Sequence, residues 1–355
     1  MSRFFCFSAR SCNTAARAAS YIAGMKKKPI IVVLGTGGTI AGHGASAAHV
    51  AAYTCSVLAI DEIMAAMPHA ASRADLRMEQ LLQIGSENFR NEHLLMIGKR
   101  VSAALEDVEV DGVVLTQGTD TIEETAYFLH LTIKSEKPVV VVGSMRPPSA
   151  MSSDAALNLY AAVCAAAHPS SRGKGVLVVA NDEIHTARDV SKASSFKLEA
   201  FHSPYGPLGY IVEGLPRYYR TVARDHTLSA EWSVDQIESL PRVDIIHAYG
   251  ELDESVVEAI ASQARGIVYA GTGNGSIARR IAAVLAQAAQ RGVQVARASR
   301  TGSGVVIRNG AQPDDERGWL VVDDQSPYKA RVLLMLALLG GIGDRAALQA
   351  CFYRY

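Results

Sequence analysis

Two glycine turns carry the residues best suited to chemistry. The first lies in IIVVLGTGGTIAG (30–42), where a Val/Ile run meets a turn bearing Thr36 and Thr39. The second lies in VVLTQGTDTIEETAYFL (113–129), where another apolar run meets a turn bearing Thr119 and Asp120. Glycines after a strand suggest a phosphate cradle, but the spacing argues against one. Gly35 and Gly37 fit the first two slots of G-x-G-x-x-G, and Ile40 takes the third. The first acidic residue, Asp61, opens a helix-like segment instead of closing a strand, and the turn holds no lysine for a P-loop. In the second stretch Thr121 and Glu124 have capping-box spacing and Glu123 suits a first helical turn. Helix capping alone would also account for Thr119 and Asp120.

Taken together the turns say more. If both strands belong to one parallel sheet, both turns open at its carboxyl edge, where open α/β sheets bind ligands. That crevice would hold the hydroxyls of Thr39 and Thr119, the carboxylate of Asp120 and the N–H donors of helix starts. Such a set suits acyl transfer: a hydroxyl nucleophile, an anion for a substrate cation, and donors for an oxyanion. A hydroxyl still needs a base, and a lysine can serve when burial lowers its pKa. Lys192 in ARDVSKASS is a loop candidate.

The elements that must position these residues are legible as short β-branched runs: Ile30–Leu34, Gly112–Thr116, Pro138–Val142 and Gly175–Ala180. Helical patterns at Glu123–Ile133 and Ala155–Ala166 lie between them. This alternation predicts an α/β fold with a parallel sheet covered on both faces. YGPLGYIVEGLPRYYR (205–220) predicts a hairpin turning at Glu-Gly. Alternation resumes at Val243, with a helix over Glu254–Ser262, the strand GIVYAG, a long helix from Ser276, the strand VQVARAS, and a last helix from about Tyr328. The expected organisation is a catalytic α/β domain over 30–220, a linker over 221–240 and a smaller Rossmann- or flavodoxin-like α/β domain over 241–355.

At this point the chain resembles a known family. GTGGTIAG, TQGTDTIEETAYFL, GSMRP, ARDVSK, YGPLGYI, GNGS and KARVLLMLALL occur in order between about Ile30 and Tyr355. They are similar to the motifs of the bacterial-type L-asparaginases and glutaminase-asparaginases. The resemblance implies hydrolysis of L-asparagine to L-aspartate and ammonia through a threonine-linked acyl-enzyme. It implies Thr39 as nucleophile, Tyr53 assisting from a flexible lid, and Thr119, Asp120 and Lys192 as a proton-transfer group. Asp120 and Glu87 would hold the α-ammonium and Ser86 the α-carboxylate. Ser144 falls where the family places a backbone carbonyl near the scissile amide. Asn274 matches a residue reaching in from a neighbouring subunit, so a homotetramer, a dimer of dimers, is expected. The triplet Ser86–Glu87–Asn88 is closer to the dual-specificity members, which implies glutaminase as a second activity. No metal or cofactor is implied.

Two departures stand out. The family's cross-subunit glutamate, partner of the lid tyrosine, aligns best with Gln312, with Asp314, Asp315 and Glu316 nearby. The stretch SSDAALNLY (152–160) lacks the usual Asp-Gly-Pro turn. Two other roles for the scaffold are a glutamine amidase for tRNA-linked amidation and a non-catalytic amino-acid sensor. The first usually comes with an extra N-terminal domain, and 29 residues are too few for one; only Gln312 favours the second.

The bulk properties allow a sizeable core and roughly two domains. The chain has 355 residues, 49% of them hydrophobic, with 35 basic and 35 acidic side chains. A zero net charge gives no reason to expect nucleic-acid or membrane-surface binding. Five scattered cysteines show neither CxxC nor zinc spacing, and isolated thiols are expected. The segment 1–29 carries Arg3, Arg10 and Arg17 among Ser and Ala, with no acidic residue. It resembles a presequence in composition, yet Met25 would make a natural start, so a poorly ordered extension is expected. Without a long apolar signal core the expected compartment is the cytoplasm, with the periplasm as alternative. The apolar run 332–343 is short of the ~20 residues a bilayer needs.

Overall fold

The computed structural model describes residues 27–340 and 344–355. Most of the expected N-terminal extension, Met25 included, lies outside the described residues. The large sheet is built on β1 (Ile30–Gly35), β2 (Asp75–Gln80), β3 (Val110–Thr116), β4 (Val139–Val142) and β5 (Val176–Ala180). These five run parallel in the order β2-β1-β3-β4-β5. The chain goes from β1 to one side, crosses back to β3, and then continues to the other side. β1 and β3 therefore flank a topological switch point, and their ends are in register, Gly35 beside Thr116. Their continuous apolar runs follow from burial on both faces. One face packs Ile31, Val33, Val114 and Val140 against Leu159 and Val163 of the helix Ala155–Ala167. The other packs Val32, Leu34, Val113 and Leu115 with the helices Asn91–Glu106 and Ile122–Thr132.

The sheet is not parallel throughout. β6 (Glu183–Thr186) returns antiparallel to β5, and it is followed by a two-strand ribbon, β7 (Ser191–Lys192) with β8 (Phe201–His202). The hairpin β9 (Gly209–Val212) and β10 (Leu215–Tyr218) then completes the eight-stranded sheet beside β6. Its turn falls on Glu213 and Gly214, with φ of 52° and 70°. Two consecutive left-handed residues suit the right-handed twist of a tight hairpin.

A second, smaller sheet is parallel and sequential: β11 (Val243–His247), β12 (Gly266–Gly271), β13 (Gln294–Ser299) and β14 (Leu320–Val321). The helices Glu254–Ala261 and Arg279–Gln290 cover one face. The helix Pro327–Ala337 covers the other, and its core extends into that of the large sheet. It is not the last helix, because Arg345–Arg354 follows and places buried Tyr355 against Trp232. The long helix expected from Ser276 begins at Arg279, since Thr272 and Ser276 first close a backbone bridge. Among the described residues no helix is long and apolar enough to cross a membrane.

Candidate active site

The turns after β1 and β3 touch. Both are short 3-10 turns, Thr39–Ala41 and Thr119–Thr121, the second running directly into the helix Ile122–Thr132. Gly38, at φ 83°, approaches Gly118 so closely that a β-carbon on it would stand 2.2 Å from the Gly118 α-carbon. Only glycine can occupy such a position. The Gly38 amide donates to Ser56 Oγ at 2.7 Å, which ties this turn to the segment 42–59. Thr36, the other hydroxyl of the first turn, faces away from this chemistry. It is wholly buried and donates to the Thr116 carbonyl at 2.7 Å, stitching β1 to β3.

Thr39, 9% exposed, shares a 2.7 Å hydrogen bond with the hydroxyl of Tyr53. Tyr53 lies on the segment 42–59, which folds over the sheet edge through a backbone bridge between His43 and Thr54. It is held down at its far side, where the Gly44 amide donates to Ser149 Oγ and the Met151 amide to the Ala47 carbonyl. Lys192 approaches the second turn from β7. Its ammonium donates to Thr119 Oγ1 at 2.8 Å and to Asp120 Oδ1 at 2.6 Å. The lysine side chain is 16% exposed and the carboxylate 60%, so the pair sits at the mouth of the site. Lys192 is thus on a short strand, not the loop expected from sequence, because Ser191 and Lys192 pair with His202 and Phe201.

One open cleft of about 610 Å³ brings Thr39, Tyr53, Ser86, Glu87, Thr119 and Asp120 together. Ser86 is 1% exposed, and its hydroxyl finds no hydrogen-bond partner among the described residues. A buried unpaired hydroxyl costs about 1–3 kcal/mol, so one that lines a cleft is set for a ligand. Glu87 is exposed, and its carboxylate accepts from Asn88 Nδ2 at 2.8 Å. The cleft is also lined by Ala51, Cys55 and Gly85, none of which sequence reasoning singled out. Ala51 and Cys55 arrive with the segment 42–59, and no periodicity announces where such a segment will lie.

The capping box expected at Thr121 and Glu124 does not form. Thr121 Oγ1 donates to the Ser86 carbonyl at 3.0 Å instead, bracing the Ser86 turn. Glu124 pairs with Arg331 of the helix Pro327–Ala337 at 3.2 Å, and burial raises its pKa against the pull of that guanidinium. The 3-10 turn ahead of the helix removes the extended start that a capping box needs.

Three further sequence candidates are not among the residues that line this cleft. Ser144, just beyond β4, is buried and donates to the Arg146 carbonyl at 2.8 Å. Asn274 follows β12 in the smaller sheet, its side-chain oxygen accepting from the Ile307 amide at 2.8 Å. Gln312 donates to the Ile277 carbonyl at 3.2 Å.

Set beside known proteins, residues 30–224 match the family "Asparaginase, N-terminal" and residues 242–352 the family "Glutaminase/Asparaginase C-terminal domain". The chain belongs to the asparaginase family. Within that family it is 48% identical over 327 residues to a "Glutaminase-asparaginase" of Pseudomonas fluorescens biotype A, covering 92% of this chain and 90% of the relative. It is 43% identical to a "Probable L-asparaginase periplasmic" of Haemophilus influenzae, over 89% of this chain and 90% of the relative. The crystal structure of a "Probable Cytoplasmic L-asparaginase" from Campylobacter jejuni superposes with a TM-score of 0.89 at 42% identity, covering 92% of this chain and all of that one. The asparaginase fold, a large N-terminal sheet with a separate small parallel sheet, is thus the fold of this chain. These are amidohydrolases, which accords with a cleft lined by threonines and carboxylates, two of which a lysine contacts.

Proposed function

We propose that the protein hydrolyses the side-chain amide of L-asparagine to L-aspartate and ammonia, with L-glutamine as a second substrate. One observation carries the reading: the Lys192–Thr119–Asp120 cluster, at 2.8 and 2.6 Å, and the Thr39–Tyr53 pair, at 2.7 Å, serve a single cleft. Asp120 and Glu87 supply negative charge for an α-ammonium, and the Ser86 hydroxyl offers a donor to an α-carboxylate. Fixing both ends of a zwitterion holds its side-chain amide in place, and such positioning can contribute ~7–11 kcal/mol.

In this mechanism Thr39 Oγ1 adds to the amide carbon as its proton leaves through Tyr53. The tetrahedral intermediate collapses with cleavage of the C–N bond, and the leaving nitrogen takes a proton and departs as ammonia. Water, passing a proton through Thr119 to the Lys192–Asp120 pair, then attacks the threonine ester. Aspartate leaves and the Thr39 hydroxyl is restored. Each proton is held by a group already hydrogen-bonded to a threonine, as general acid–base catalysis requires.

A second reading makes Thr119 the nucleophile, because Thr119 and not Thr39 touches the lysine. Mass spectrometry of the enzyme quenched with substrate separates the two by the peptide that carries the acyl group. Thr39→Ala and Lys192→Met are each expected to reduce ammonia release by about 10³-fold or more. Near-normal turnover in Thr39→Ala would end its assignment as nucleophile.

Asn274 and Gln312 lie outside the cleft of their own chain, which supports a homo-oligomer, a homotetramer in this reading, where one subunit completes another's site. The catalytic unit spans 30–220 and the smaller unit 241–355, joined by 221–240, and the compartment is the cytoplasm. Sedimentation at assay concentration tests the assembly: a fully active monomer would contradict the role of Asn274.

A further inference from the structure

Behind the catalytic lysine lies a buried ion pair that no step above uses. Lys329, 1% exposed, comes from the helix Pro327–Ala337, and Glu123, 6% exposed, from the first turn of the helix Ile122–Thr132. The Lys329 ammonium donates to Glu123 Oε2 at 3.3 Å, to Ser191 Oγ at 3.2 Å and to the Val190 carbonyl. Ser191 Oγ in turn donates to Glu123 Oε2 at 2.8 Å, and Ser326 Oγ donates to the same oxygen at 3.2 Å. Lys329 therefore grips two consecutive residues of the chain, and the next residue is Lys192.

We propose that Glu123, Lys329 and Ser191 form a positioning device that holds Lys192 in register with Thr119. Both sides of the catalytic contact hang on this cluster. Glu123 stands four residues after Thr119 and three after Asp120, at the root of the turn that presents them. Ser191 and Val190 immediately precede Lys192 on a ribbon of only two residues per strand, which by itself restrains little. The cluster fixes the distance between the two, and so the 2.8 Å reach of the Lys192 ammonium to Thr119 Oγ1. Burial presses the Lys329 ammonium toward its neutral form while the Glu123 carboxylate opposes this. Buried charges of this kind contribute little net stability beside an apolar pair of the same shape. What this pair adds is two directed contacts from a second unit of the chain, Lys329 to Val190 and Ser191, and a third from Ser191 to Glu123, all on the segment leading into Lys192. These three residues touch neither substrate nor reacting atoms; they act through Lys192.

The inference rests on Lys192 being the proton carrier, and the test separates the two claims. Glu123→Gln and Lys329→Met are each expected to lower Tm, since each leaves one buried charge alone. The double variant removes both charges at nearly constant volume, so its Tm should recover. If the cluster positions Lys192, kcat of the double variant stays about 10- to 100-fold below wild type with KM little changed. Recovery of kcat together with Tm would overturn the proposal, because a merely structural pair would restore both. Should the double variant fail to fold, Ser191→Ala decides: a fall in kcat at unchanged Tm supports the proposal, and unchanged kcat overturns it. Lys192→Met is measured alongside. An active Lys192→Met removes the parent reading and this one with it, whereas an inactive Lys192→Met beside a fully active double variant removes only this one.

Discussion

Gly38 and Gly118 meet backbone to backbone at the carboxyl edge of the large sheet, with no room for a methyl group between them. This contact brings the Thr39 turn and the Thr119 turn to one cleft. Gly38→Ala would place a β-carbon 2.2 Å from the Gly118 α-carbon and would also strain a residue at φ 83°. The expected destabilisation is about 4 kcal/mol or more, the range reserved for such clashes. Thermal unfolding checks it, and a Tm close to wild type would mean that the turns can separate.

Ser86→Ala should act on binding and leave the fold alone. The hydroxyl is buried without a partner among the described residues, so its removal forfeits no hydrogen bond there. Tm should hold or rise slightly. A hydrogen bond to a charged ligand contributes about 1.5–3 kcal/mol, so KM for asparagine should rise about 10- to 100-fold. Steady-state kinetics with both amino acids would show it, and an unchanged KM would remove Ser86 from the carboxylate site.

Arg297 and Asp314 form a pair with no exposure on either side chain, joined at 2.7 and 2.6 Å. The same guanidinium donates to the carbonyls of Asn274 at 2.5 Å and Ile307 at 2.9 Å, so it shapes the two loops that carry Asn274 and Gln312. Asp314→Asn leaves a buried guanidinium without its anion and should cost about 3–5 kcal/mol. Denaturant melting measures the loss. An activity lost in parallel with oligomer would tie the pair to the completed site.

His185 links stability to pH. The ring is 1% exposed, and burial, helped by His202, depresses its pKa to about 4. Glu183 Oε2 stands 3.2 Å from Nε2 and favours the charged ring, but desolvation is the larger effect. The folded state thus prefers the neutral ring, while the unfolded chain takes up a proton near pH 6.5. Its contribution is complete above about pH 6.5 and is lost as pH falls toward 4, on the order of 3 kcal/mol. His185→Asn, which keeps an acceptor for Ser203, should flatten Tm against pH across that window. An unchanged slope would place the titration elsewhere.

Some elements were plain in the amino-acid order because their environment is uniform. β1, β3, β4 and β5 are covered on both faces, so each carries a run of at least three consecutive Val, Ile or Leu residues. β2 is an edge strand, largely exposed and rich in charge, so DLRMEQ gives no apolar signal. The antiparallel return of β6 did leave a trace in Asn181–Asp182, whose φ values of 51° and 64° are those of a tight hairpin turn. The helix Arg345–Arg354 escaped notice because its apolar residues, many of them small, mark no single face and its burial depends on β14 and the helix before it.

The chemistry divides in the same way. Sequence alone determined the residue types, the two glycine turns and the motifs that mark the family, because these are local or depend only on order. The family motifs implied that Thr39 would meet Tyr53 and that Lys192 would meet Thr119, but residue order and spacing alone did not, nor could they decide that Thr121 would abandon its cap for Ser86. They gave no hint that Lys329, more than a hundred residues downstream, would reach back to Ser191. Those contacts join segments far apart in the chain. They exist only because a switch point between β1 and β3 and a helix shared by the two sheets bring those segments within hydrogen-bonding distance.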